Sequence, residues 1–113
     1  MIDLTATLCC APVASGVISD DDALAVALRL KAVADPVRVK LLSLLLVSDI
    51  DGVRNSDLAR HLELSDATIS HHLGQLHRAG LLTRSRRGTS IYYRVDRNSL
   101  AALVRVIDPD CCL

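Results

Sequence analysis

The chain has 113 residues, half of them apolar. That is one domain's length, enough for a modest core and short enough that a partner subunit would usefully cover apolar surface. Phe and Trp are absent and Tyr occurs twice, so the core must be built from Leu, Val, Ile and Ala. The formal net charge is zero, which argues against an indiscriminate polyanion binder, yet the charge is unevenly spread. Residues 54–94 carry seven Arg and three acids, a net of four positive charges, and the rest of the chain carries four negative ones. A basic module on an acidic body fits phosphate contact focused on one face. No apolar run approaches the ~20 residues a membrane span needs, and the first residues form no basic leader, so a cytoplasmic location is expected.

Residues 1–18 show no sustained period and are expected to form a mobile arm carrying Cys9 and Cys10. Ser19, followed by Asp20, Asp21 and Asp22, predicts a helix start, with an N-cap and acids at the positive end of the dipole. That helix, expected to run to about residue 34, is apolar nearly all round, which predicts burial between two subunits. Asp35 caps a second helix with Pro36 at its first position, ending near Val47. A short helix is expected over residues 55–62, a turn at Glu63 and Leu64, and a helix over residues 66–79 capped by Ser65 and stopped by Gly80. Within it Ile69, Leu73 and Leu76 repeat at helical spacing and face inward, while Thr68, His71, Gln75 and Arg78 face outward. Residues 81–86 and 90–95 alternate as two strands around Arg87, Gly88 and Thr89. A last helix over residues 97–107 is expected to place Leu100, Leu103, Val104 and Ile107 on one stripe, before a tail (108–113) with Cys111 and Cys112.

The predicted fold is therefore mainly α with a small β-hairpin, a winged helix-turn-helix of order ααααββα spanning residues 19–107. In such a module the second helix of the pair enters the major groove, with short polar side chains near its N-terminus closest to the bases. Asp66, Thr68, Ser70, His71 and Gln75 meet that demand. Arg78, and Arg84, Arg86 and Arg87 in the wing, are placed for phosphates, contributing affinity more than sequence choice.

The segments ALRLKAVADPVRVKLLSLL and LARHLELSDATISHHLGQLHRAGLLTRSRRGTSIYYRV resemble the ArsR/SmtB family of small metal-responsive transcriptional repressors over about residues 25–104. The ADPVR and SDATISHHLGQLHRAGLL elements are distinctive. The resemblance implies a homodimer, paired through its first and last helices, that binds a palindromic operator in double-stranded DNA and leaves it when a toxic metal ion binds. It implies no enzymatic activity.

Cys9-Cys10 and Cys111-Cys112 are the chain's only cysteines, and in a reducing compartment they are better ligands than disulfides. Thiolates select soft ions. As(III) wants three of them in a trigonal pyramid, and As(III) or Sb(III) is the expected inducer. Cd(II), Pb(II) or Zn(II) in a tetrahedron of all four, thiol oxidation, inert tails on a constitutive repressor, and a small thiol-based carrier or reductase remain open alternatives. The family's Cys-x-Cys element on the first helix of the DNA-binding motif is replaced here by Arg54, Asn55 and Ser56, and no His follows His77 to build a site on the last helix. A Cys-Cys pair ahead of the first helix resembles one arsenic-sensing branch. That branch's third cysteine is missing near Ile50, and Cys111 or Cys112 is the candidate replacement.

Overall fold

A computed structural model describes residues 16–48 and 51–110. Cys9, Cys10, Cys111 and Cys112, and the position at Ile50, lie outside the described residues. The described residues divide into two compact units, one made of residues 16–31 and 97–110, the other of residues 32–48 and 51–96. No helix among the described residues is long and apolar enough to cross a membrane.

The first unit contains most of α1 (Asp20–Val33) and all of α5 (Arg97–Val106). The expected start of α1 is in place: the Ser19 hydroxyl accepts from the Asp22 N–H at 3.2 Å, and the first turn holds Asp20, Asp21 and Asp22. Val26 and Val106 form a small core with Ile18 and Leu30 packed against it. On α1, Leu24 and Leu28 are 60% and 57% exposed, as an all-round apolar helix must leave some side chains when taken alone. On α5 the expected stripe is part buried and part exposed, with Leu103 buried and Leu100 half-buried. The buried residues are Ser99, Ala102, Leu103 and Val106, while Val104 and Ile107 are 59% and 50% exposed. The helix is apolar on two adjacent stripes one residue out of phase, and the inner one begins at a serine that hydrophobicity alone passes over.

The second unit holds α2 (Pro36–Val47), β1 (Val53–Arg54), α3 (Asn55–Leu62), α4 (Asp66–Arg78), β2 (Leu82–Arg87) and β3 (Ser90–Val95). Asp35 caps α2 by accepting from the N–H groups of Val37 at 2.9 Å and Arg38 at 3.3 Å. Pro36 at the first helical position gives up no hydrogen bond, because that N–H has no partner inside the helix. Between α3 and α4 the chain reverses at Glu63, in the left-handed conformation with φ 56°. The Leu64 N–H closes back onto the Ala59 carbonyl at 3.0 Å. Ser65 then caps α4. Leu41 from α2, Leu58 from α3, Ile69, Leu73 and Leu76 from α4, and Leu81 are all but fully buried. Burying each such side chain is worth roughly 1.5–3 kcal/mol, and together they fix the angle between the two helices of the motif.

The wing is a three-stranded antiparallel sheet of order β1-β3-β2, so the element order becomes ααβααββα. β1 escapes sequence reading because two residues cannot show a period of two. It exists through pairing with Tyr92 and Tyr93, some forty positions downstream. The first strand of the hairpin lies one residue later than expected, over Leu82–Arg87, and the second is where it was expected, over Ser90–Val95, leaving a two-residue turn. Gly88 has φ 63° and Thr89 does not share a positive φ. That combination matches a type II′ turn, whose twist suits a hairpin. α1, α4 and α5 each stop one residue short of expectation.

Candidate nucleic-acid interface

The start of α4 is held by short local bonds that leave its outer face exposed. The Thr68 N–H donates to the Ser65 hydroxyl at 3.1 Å, and that hydroxyl in turn donates to Thr68 Oγ1 at 2.8 Å. The Thr68 oxygen thus accepts, which leaves its own proton to be donated outward. The Ser70 hydroxyl donates to Asn55 Oδ1 at 3.1 Å, latching the second turn of α4 to the first residue of α3. Asp66, Thr68, Ser70, His71 and Arg78 are all exposed, and Gln75 is half-exposed. The Arg78 guanidinium folds back over Gly74, whose lack of a side chain makes room for it: a Cβ there would lie 3.4 Å from Nη1.

Two of these residues meet the wing. A cleft of about 290 Å³ is lined by Asp66 and Ser70 of α4, Arg54, Asn55 and Ser56 at the start of α3, and Thr89, Ser90, Ile91 and Tyr93 of the hairpin. Sequence reading had no residue at the start of α3 or in the turn among its candidates. Arg54 donates to Asp57 at 3.2 Å, and Arg60 donates to the same carboxylate oxygen. Its hydrogen bond to Asp57 raises the Arg54 pKa, the Asp57 charge adds to this, and partial desolvation opposes it. Two of the seven arginines in the basic segment are therefore already balanced by a carboxylate. Exposed pairs of this kind add at most ~1 kcal/mol to stability, but they reduce the charge offered to a polyanion.

The wing arginines divide between the two faces of the sheet. Residues opposite each other in an antiparallel pair share a face. The register sets Arg84 against Tyr93 and Arg86 against Ile91, whereas Arg87 lies against Ser90. Arg87 shares its face with Tyr92, whose ring lies 4.3 Å below the guanidinium, and it donates to the Asp51 carbonyl. On that face Arg94 donates to Thr83 at 3.0 Å. Arg86 donates to the Gly88 carbonyl at 3.3 Å, within the turn. Arg84 and Arg86 thus lie on one face of the sheet and Arg87 with Arg94 on the other, an arrangement that follows from pairing register.

Behind the exposed face of α4, His72 is largely buried and accepts from Arg38. Sequence reading assigned His72 to the recognition motif without a partner. Among the described residues no group of three or more His, Cys, Asp or Glu side chains is placed to hold a metal ion.

A helix pair closed by a left-handed turn, an exposed polar second helix and a basic hairpin beside it define a winged helix-turn-helix domain. The family model described as "Bacterial regulatory protein, arsR family" matches residues 35–84. The chain is 39% identical over 70 residues to the transcriptional repressor SdpR of Bacillus subtilis, covering 62% of this chain and 74% of SdpR. It is 38% identical over 65 residues to the arsenic resistance transcriptional regulator ArsR1 of Pseudomonas putida, covering 58% of this chain and 49% of that one. The crystal structure of the AntR antimony-specific transcriptional repressor is similar at a TM-score of 0.66 and 29% identity, covering 79% of each chain. The protein belongs to the ArsR family and is a transcriptional regulator, not an enzyme.

Proposed function

We propose that the protein is a dimeric, cytoplasmic transcriptional repressor that reads operator DNA through α4 and the wing, and that leaves the operator when As(III) or Sb(III) is captured by cysteine thiolates. The observation that carries the DNA reading is the outer face of α4. It is exposed, polar and fixed at both its cap and its second turn by hydrogen bonds to Ser65 and Asn55. Thr68, Ser70, His71 and Gln75 face bases in this reading, and Arg78, Arg84 and Arg86 face phosphates, with Asp66 at the positive end of the helix. Arg87 contributes from the opposite face of the sheet. A second copy of the chain supplies cover for Leu24 and Leu28 on α1 and for Val104 and Ile107 on α5.

The inducer reading rests on chemistry and on relatives named for arsenic and antimony. The cysteines of the arm (1–18) and the tail (108–113) are the chain's only thiols, and three of the four satisfy trivalent arsenic. Binding of metalloid and operator then oppose each other by a coupling free energy, ~1–3 kcal/mol in typical allosteric systems. The same four cysteines allow a second reading, a repressor of the same fold answering to thiol oxidation or to no metal.

Fluorescence anisotropy of the fully reduced protein on duplex DNA from upstream of its own gene, titrated anaerobically with As(III), Sb(III), Cd(II) and Zn(II), separates these readings. Release near one equivalent of As(III) or Sb(III) per site supports the proposal. Release by Cd(II) or Zn(II) alone moves the site to a tetrahedral ion. Binding that persists through all four ions refutes metalloid control, and no binding refutes the repressor.

A further inference from the structure

We propose that Arg38 and His72 are positioning residues for the DNA-reading helix, and that the imidazole makes this support sensitive to protons. The inference rests on the reading of α4 given above. The Arg38 guanidinium reaches in two directions. Nη1 donates to the Ala32 carbonyl at 3.2 Å, and Nε donates to His72 Nδ1 at 3.1 Å. The Asp35 carboxylate, already engaged in capping α2, stands 3.9 Å from the same imidazole nitrogen. A link between residues 34 positions apart thus ties the start of α2 to the middle of α4. His72 is followed outward by His71, whose exposed ring meets it edge-on at 5.7 Å. A shift of one ring therefore moves a side chain on the DNA-facing surface.

The bond dictates a protonation state. Arginine has only donors, so Nδ1 must offer a lone pair, and the neutral imidazole carries its hydrogen on Nε2. Protonation turns Nδ1 into a donor. The bond from Arg38 is then lost, two cations face each other, and Asp35 becomes the natural partner. Acid exchanges one partner for the other, and α4 re-seats against the start of α2. The charged and titratable groups facing His72 are Asp35 and Arg38 from α2 and its cap, and His71 on α4 itself. α3 and β2 also pack on α4, and among the described residues they give His72 no hydrogen bond or ion pair.

The test compares the reduced full-length wild type with His72→Asn, which keeps an acceptor and cannot titrate, and with Arg38→Met. Operator affinity is measured by anisotropy, and hydrogen exchange of the α4 amides is measured without DNA. Both are read at about pH 7.5 and about pH 5.5. His61, His71 and His77 are present in both wild type and His72→Asn, so their contributions cancel in the ratio. From neutral to acid, wild type should lose about tenfold in affinity relative to His72→Asn, the scale set by one charged hydrogen bond. Its α4 amides should exchange about tenfold faster after correction for intrinsic rates, and Arg38→Met should show that fast exchange already at neutral pH. If His72→Asn does not fold, His72→Gln replaces it. Equal pH responses in wild type and His72→Asn, or unchanged α4 exchange in Arg38→Met, overturn the anchor. No DNA binding by any variant at either pH overturns the reading of α4.

Discussion

Gly52 stands immediately before β1, and replacing it with Ala should cost more than its surface position suggests. Its φ is +101°, and an added Cβ would lie 3.0 Å from the Tyr93 carbonyl oxygen, 3.4 Å from the Tyr93 carbonyl carbon and 3.5 Å from Tyr92 Cβ. All three obstacles belong to β3, the middle strand, so relief requires β1 to move away from its partners Tyr93 and Tyr92. The backbone conformation alone costs a non-glycine residue roughly 1–2 kcal/mol. The approach to backbone atoms cannot be eased by rotating a side chain and adds about 1–3 kcal/mol, the range for overpacking. Gly52→Ala should therefore lose about 2–5 kcal/mol. Gly88→Ala is the internal control: φ is 63° and nothing lies within 4 Å of the added atom, so only the backbone cost of about 1–2 kcal/mol applies. Urea unfolding followed by circular dichroism gives both values. Equal losses at the two glycines, or a loss below about 1 kcal/mol at Gly52, would refute the argument that β1 is held closely against β3.

The latch between Ser70 and Asn55 should show in a double-mutant cycle of Ser70→Ala and Asn55→Ala, with a coupling of about 0.5–1.5 kcal/mol in urea unfolding; additive losses would mean the bond does not hold the helices together. Burial raises the Asp35 pKa, but the N–H groups of Arg38 and Val37, with nearby His72 and Arg38, outweigh it and hold the carboxyl below its ordinary value of 3.8. The unfolded chain therefore takes up the proton first. The carboxylate's stabilisation is complete above the ordinary value and disappears as pH falls through the lower native one. Asn caps helices as well as Asp does, so below the ordinary carboxylate value of 3.8 the gap in urea midpoint between wild type and Asp35→Asn should shrink as pH falls; a gap that widens over that range contradicts this. In the metalloid reading, a protein carrying Cys9→Ser and Cys10→Ser should keep operator affinity within about twofold, since no thiolate takes part in DNA contact, and should no longer be released by As(III). Anisotropy reads both, and loss of DNA binding in that protein would make the arm structural.

What was legible in the sequence is what is decided within a few residues. Ser19, Asp35 with Pro36, and Ser65 announce three helix starts, and each makes its capping bond in the structure. Ile69, Leu73 and Leu76 were assigned to the core from spacing and are fully buried. What was missed depends on partners far away in the chain. β1 is two residues held by β3, and the direction of Arg87 is set by a carbonyl 36 positions upstream. The His72 partner lies 34 positions away. On α5, apolar residues lie on two adjacent faces, so periodicity gives the stripe but not which of its members turn inward within one chain.

The strand order carries a consequence for the protein in a crowded cell. With β3 in the middle, the sheet ends on one side in a strand of two residues and on the other in β2. An unpaired strand edge invites addition of a strand from another molecule, and short or charged edges discourage it. β2 carries Arg84, Arg86 and Arg87 within six residues, all exposed, so two such edges brought together repel. In the DNA-reading proposal the same arginines meet a polyanion, and their mutual repulsion opposes edge-to-edge pairing of copies.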